Sequence, residues 1–210
     1  MEIKIFELPP IGTNAYLLLE PARREAVLVD APLKVWETVE PLLQREDYRL
    51  CALLLTHGHW DHMVEAALVA EQGARVYAHA GDRHMLENPQ LMAAFALPGL
   101  ELEAVRTDHF LEDGERLKLL GREIEVRHVP GHSEGGVLFY FEQVGAAFSG
   151  DALFAEGIGR TDFPGGDFAT LEKAIREKIY TLPEDTVLYP GHGPQTTVAR
   201  ERRDNPFVRG

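Results

Sequence analysis

The chain has 210 residues, 45% of them apolar and 26% charged, with 21 Lys+Arg against 34 Asp+Glu and a formal net charge of −13. A chain of this length buries ~70% of its unfolded surface without help from disulfides, and its acidic balance argues against phosphate backbones and anionic membranes as partners. Cys51 is the only cysteine, which excludes a disulfide scaffold and a multi-cysteine zinc site.

Three short strands are expected first, at Ile3 to Leu8, Ala15 to Glu20 and Glu25 to Asp30, separated by Pro9-Pro10-Ile11-Gly12 and Pro21. Val35 to Arg45 has the spacing of a helix, with Val35, Val39, Leu42 and Leu43 on one face. Leu50 to Thr56 is a near-continuous apolar run of strand length, the pattern of a strand buried on both faces. A helix over Asp61 to Gln72 stops at Gly73 and precedes a strand at Arg75 to Ala78, and Gly81 to Asp108 reads as mostly helical and irregular. Four more strands follow at Glu115 to Leu120, Arg122 to Val129, Val137 to Glu142 and Ala146 to Ser149. Asp167 is placed to cap a helix running to about Tyr180, and a last strand, Thr186 to Tyr189, precedes a short polar helix. Strands, a helix and a strand in each half predict an α/β sandwich of two sheets covered by helices, in one domain over 1–210. No apolar run approaches ~18 residues and Met1 to Phe6 carries no signal-peptide core, so a cytoplasmic location is expected.

Five of the nine histidines cluster. Thr56-His57-Gly58-His59-Trp60-Asp61-His62 follows the buried strand and opens a helix. Two residues apart on extended backbone, His57 and His59 project to one side, while Asp61 and His62 lie on the first helical turn. One short segment thus offers ligand pairs to two neighbouring metal positions. His132, Asp151 and His192 repeat the placement: each directly follows the end of an apolar strand and a glycine, which lets the backbone turn and approach closely. Strand ends meeting at one rim bring the four segments together. Seven N/O ligands without sulfur suit two divalent ions, zinc first, with iron or manganese as alternatives. His128 shares a strand face with Ile124 and Val126 and is expected to pack rather than ligate, and His79, His84 and His109 are expected on loops or helix surfaces.

His57-x-His59-x-Asp61-His62 with His132, Asp151 and His192 in order resembles the metallo-β-lactamase superfamily, over nearly the whole chain. The resemblance implies a four-layer αββα fold of two mixed sheets with a dinuclear site at one edge. By that resemblance His57, His59 and His132 hold one metal, Asp61, His62 and His192 the second, and Asp151 bridges them. The β-lactamases of the superfamily use a cysteine at the Asp151 position, which sets antibiotic hydrolysis aside. Gly157-Ile158-Gly159-Arg160-Thr161-Asp162-Phe163 and Pro190-Gly191-His192-Gly193-Pro194 look like the short glyoxalase II-like hydrolases, in which Arg160 matches a basic substrate-binding residue. A tyrosine of glyoxalase II is replaced here by Asp162, so glutathione specificity does not carry over. An ion pair from Arg160 to Asp162 or Asp167 is the competing expectation. The implied activity is hydrolysis of a small anionic thioester by a metal-bridging hydroxide that Asp61 helps to aim, with Trp60 and Phe163 as candidate pocket walls. Two alternatives stand beside it: a mononuclear iron persulfide dioxygenase, which shares much of this pattern, and a non-catalytic metal-binding module.

Overall fold

The computed structural model describes residues 1–210. Strands β1 (Glu2–Leu8), β2 (Thr13–Glu20) and β3 (Glu25–Val29) form an antiparallel meander. Helix α1 (Val35–Arg45) then returns the chain so that β4 (Arg49–Leu54) lies parallel to β3, the crossover that a parallel pair requires. After α2 (Trp60–Met63) and α3 (Ala66–Glu71) come β5 (Arg75–His79), α4 (Arg83–Glu87) and β6 (His109–Leu111), each strand parallel to the one before. The first sheet has the order β1-β2-β3-β4-β5-β6.

The second sheet is built from β7 (Arg116–Leu119), β8 (Arg122–His128), β9 (Val137–Phe141) and β10 (Ala146–Gly150), all antiparallel neighbours. A two-stranded ribbon, β11 (Leu153–Phe154) and β12 (Gly157–Ile158), leads into α5 (Phe168–Ala174). β13 (Val187–Pro190) then pairs in parallel with β10, and β14 (Thr196–Thr197) and α6 (Val198–Asp204) close the chain. The order is β14-β13-β10-β9-β8-β7.

Period-two alternation decides the layers. On β2, Leu17 and Leu19 face a core shared with Val35 and Val39 of α1, while Tyr16 and Leu18 face the second sheet, against Phe139, Phe141 and Phe148. On β4 the same alternation sends Leu53 to the helices and Ala52 and Leu54 to the other sheet. Leu138 and Tyr140, on the opposite face of β9, pack under Leu171 and Ile175. Three stacked cores make the four-layer αββα sandwich.

The helix expected over Asp61 to Gln72 is broken at Val64 and Glu65. Ala31 is wedged against it: its N–H donates to the His62 carbonyl (2.7 Å) and its carbonyl accepts from Glu65 N–H (3.0 Å), so two rungs of the helix ladder are diverted. The Glu65 carboxylate, in turn, accepts from the backbone N–H groups of Lys34 (2.5 Å) and Trp36 (2.9 Å) at the start of α1. The stretch 81–108 is less helical than its composition predicts, with only α4 and short 3₁₀ turns, and its end enters β6. The helix after Asp167 is α-helical to Ala174 and continues as a π-type turn over Ile175–Ile179, which ends just before Tyr180.

Candidate metal centre

Seven side chains converge at one rim of the sandwich. His57 and His59 lie on the extended segment beyond β4, Asp61 and His62 on α2, His132 beyond β8, Asp151 beyond β10 and His192 beyond β13. Three groups have their ligand atoms within 4.8 Å of one another: His57, His59 and His132; His57, His62 and Asp151; and Asp61, His62 and His192. The sharing of His57 and His62 between groups places the two triads side by side, with Asp151 between them.

Hydrogen bonds behind the rings decide which nitrogens face inward. A carbonyl or carboxylate can only accept, so each ring nitrogen bonded to one must carry the proton. His132 Nδ1 donates to the Arg160 carbonyl (2.7 Å), His192 Nδ1 to the Gly12 carbonyl (3.2 Å) and His62 Nδ1 to Asp30 Oδ2 (2.8 Å). The Thr56 hydroxyl donates to Asp30 Oδ2 (2.8 Å) and is therefore the acceptor for His57 Nδ1 (3.0 Å). Neutral rings in these tautomers present four Nε2 lone pairs to the centre.

Three of those lone pairs face carboxylate oxygens, and His132 Nε2 also lies 2.8 Å from His59 Nδ1. His62 Nε2 is 3.2 Å from Asp151 Oδ1 and 3.3 Å from Asp61 Oδ2, and His192 Nε2 is 3.2 Å from Asp61 Oδ2. His57 Nε2, His62 Nε2 and Asp151 Oδ1 are all buried without a hydrogen-bond partner. Lone pair against anion in a buried site is repulsive unless positive charge sits between them. The donor set therefore fits two divalent cations, with outer-layer hydrogen bonds already aiming each ring.

The titration behaviour has the same cause. Burial, reinforced by the neighbouring His62 and His59, holds His57 well below the usual imidazole range, and burial with His132 holds His59 at about 3. Burial also opposes protonation of His62, but Asp61, Asp151 and Asp30 outweigh it and raise that ring, so a proton and a metal ion compete for its Nε2. Burial pushes Asp151 up and the His62 charge pulls it down further, below the ordinary carboxylate range.

Gly191 is there for space. A Cβ on it would land on Asp151 Oδ1 and 2.6 Å from His62 Cε1. Gly191→Ala is expected to weaken metal binding at least about tenfold with the fold retained, as changes around metal ligands do; metal titration beside circular dichroism checks it.

Several contributors lie outside the seven. Asp30 ties Thr56 and His62 together from beyond β3, and Thr13 Oγ1 donates to Asp61 Oδ2 (2.9 Å). Buried Asp82 accepts from Gly58 N–H and Gly135 N–H, both at 2.7 Å, which clamps the His57–His62 segment to the loop after His132. Asp30 obeys the same rule as the ligands, a carboxylate just past a strand end; Thr13 and Asp82 carry no such signal.

Arg160 is exposed, and its guanidinium forms the bidentate pair with Asp162 (2.7 and 2.6 Å) that was its alternative expectation. It also stacks 3.9 Å above the Phe163 ring, which meets His59 edge-on at 5.1 Å. Phe163 thus borders the centre, whereas Trp60 is buried in a separate cluster with Met85, Met92 and Leu102.

His128 is no part of the centre. Its Nε2 donates to the Glu134 carbonyl (2.8 Å) and its ring stacks on His79 at 4.0 Å. His79 and His109 belong to strands β5 and β6, not to loops or helix surfaces. Burial and the adjacent His128 lower His79 to about 4. Between about pH 6.5 and 4 the unfolded chain takes up a proton that folded His79 refuses, so stability falls as pH falls through that window. His79→Gln is expected to flatten this slope, read from urea midpoints at pH 7 and 5.

The family model described as metallo-beta-lactamase superfamily matches residues 8–192. Hydroxyacylglutathione hydrolase GloC of Haemophilus influenzae is 37% identical over 213 aligned positions, covering 99% of this chain and 98% of that protein. Among solved structures, BLEG-1 B3 metallo-beta-lactamase is 39% identical with a TM-score of 0.91 and full coverage of both chains. TTHA1623, solved in a di-iron-bound form, is 36% identical with a TM-score of 0.84, covering 98% of this chain and 100% of that one. With its ligand clusters at a sandwich rim and relatives of this kind across its length, the chain belongs to the metallo-beta-lactamase superfamily, as a glyoxalase II-like metallo-hydrolase.

Proposed function

We propose that the chain hydrolyses a small anionic thioester, of the S-2-hydroxyacyl type, with two zinc ions as its resident metals. The observation that carries this reading is the convergence of seven candidate ligands in a chain similar over nearly its whole length to a hydroxyacylglutathione hydrolase. His57, His59 and His132 would hold one ion, Asp61, His62 and His192 the other, and Asp151 would touch both. Divalent ions there supply an acidified water and a polarised acyl carbonyl.

The protein's own groups do the rest. Thr13 fixes the Asp61 carboxylate, which would accept a hydrogen bond from the attacking hydroxide and so aim it. The outer hydrogen bonds of His57, His62, His132 and His192 keep those rings from turning as charge moves. A thiolate leaves without a general acid, and the centre supplies no spare one. Arg160 is anchored to the centre through its own carbonyl, the acceptor for His132, while its guanidinium lies in solvent at the rim beside Phe163. There it meets the negative end of the substrate. Asp162 competes with that substrate for the guanidinium.

Arg160→Ala is therefore expected to raise KM about tenfold or more with kcat little changed, the worth of a charge-assisted contact of ~1.5–3 kcal/mol, and Asp162→Ala to lower KM. The central experiment pairs metal analysis with turnover on one metal-replete sample, using S-lactoylglutathione, a β-lactam and, for oxygen uptake, glutathione persulfide. Thioester turnover dominant with two ions per chain supports the reading. Oxygen uptake with one iron, β-lactam turnover dominant, or metal without turnover each overturns it.

A further inference from the structure

One concave site lies well away from the metal centre. It has a volume of about 670 Å³ and opens where β4 and β5 begin, at Arg49 and Arg75, against the turn between β7 and β8. The metal ligands follow the other end of β4, whose six residues span roughly 17 Å. Arg23, Arg49, Arg75, Lys118 and Arg122 line this cavity, against the carboxylates of Glu25 and Glu123.

The local acids do not balance these cations. Glu25 alone serves two guanidiniums, Arg23 (2.7 Å) and Arg49 (3.1 Å). Arg122 is paired with Glu20 (2.9 Å), and Glu123 is taken by Arg116 from outside the cavity (2.8 Å). Arg75 and Lys118 have no acidic partner, and the Arg75 guanidinium is held 5.6 Å from the centre of the Tyr77 ring. Apolar and weakly polar groups, among them Tyr77, Leu119 and the half-buried Cys51, form the rest of the wall. A chain of net charge −13 thus gathers surplus positive charge on one concave surface. Forked guanidiniums on such a surface match the oxygens of phosphate or carboxylate groups, and small-molecule pockets of ~300–1,000 Å³ are of this size.

We propose that this cavity binds a small polyanion, a phosphorylated or polycarboxylate metabolite, at a site separate from the metal centre. Glu25 holds Arg23 and Arg49 side by side, and the exposed Arg75 and Lys118 add positive charge that no nearby carboxylate offsets. The acidity of the rest of the surface keeps out long nucleic acids, whose phosphates would run past the cavity rim.

The test titrates the metal-loaded full chain by calorimetry with AMP, pyrophosphate and citrate, which separate phosphate from carboxylate ligands. The same titrations are made on the Arg75→Ala/Lys118→Ala variant and on each single variant, with metal content measured afterwards. Binding is expected to weaken at least about tenfold in the double variant, a loss of ~1.4 kcal/mol, with thioester hydrolysis unchanged. An independent readout is alkylation of Cys51, the only cysteine, by N-ethylmaleimide, which a bound polyanion slows in the wild-type chain. Equal binding by wild type and the double variant places the probe outside this cavity and overturns the proposal. So does the lack of saturable binding of all three probes up to about 10 mM, which is above the ~1 mM that corresponds to −4.1 kcal/mol.

Discussion

Asp151→Ala is expected to leave fewer than one divalent ion per chain and to cut thioester hydrolysis by on the order of 10³-fold or more. Asp151 reaches both triads: its Oδ1 is 3.2 Å from His62 Nε2, and its Oδ2 is 3.5 Å from both His132 Nε2 and His192 Nε2. Alanine removes the anion that offsets two cations at once, and the remaining carboxylate, Asp61, lies with only one triad. A metal contributes several kcal/mol to acyl-transfer catalysis and each 1.36 kcal/mol is a factor of ten, which sets the expected scale. Metal analysis and the thioester assay on the same preparation check it. Retention of two ions with full activity would show that Asp151 does not join the triads.

Asp30→Ala is expected to damage both stability and metal affinity, although Asp30 belongs to no triad. This carboxylate is 1% exposed and accepts three hydrogen bonds of 2.8 Å, from the Thr56 N–H, the Thr56 hydroxyl and His62 Nδ1. Truncation leaves buried donors unpaired, at ~1–3 kcal/mol each, so a loss of about 3 kcal/mol is expected in urea unfolding of the chelator-treated chain. It also frees His62 to rotate or to take the other tautomer, and loss of such outer partners typically costs ~10–100-fold in metal affinity. Asp30→Asn, which keeps one acceptor oxygen, should fall between wild type and alanine on both measures. An alanine variant with unchanged metal affinity would show that backbone packing alone orients His62.

The strands and the ligands were the legible part of this chain. Apolar runs that alternate or stay continuous report burial on one face or two, which is why β2, β4, β8, β9 and β10 fall close to their expected bounds. Histidine and aspartate just past such runs report a shared rim, because the ends of β4 in one sheet and of β8, β10 and β13 in the other meet at one edge of the sandwich. The break between α2 and α3 was not legible, since it depends on Ala31 displacing two helix hydrogen bonds from more than thirty residues away in sequence. Nor was the irregular course of 81–108, where Trp60, Met85, Met92 and Leu102 pack into a small cluster of their own instead of along a helix stripe.

The sequence by itself determined the fold class, the seven candidate ligands and the absence of sulfur from the centre, because periodicity and residue type are local properties. Only the tertiary structure decided which ring nitrogens face inward, that Asp30 and Thr13 stand behind the ligands, and that Arg160 is shared between Asp162 and the rim. It also gathered Arg23, Arg49, Arg75, Lys118 and Arg122, dispersed over about a hundred positions, around one cavity. Hydrogen-bond direction and electrostatic surplus are properties of groups brought together across the chain, and no spacing within it records them.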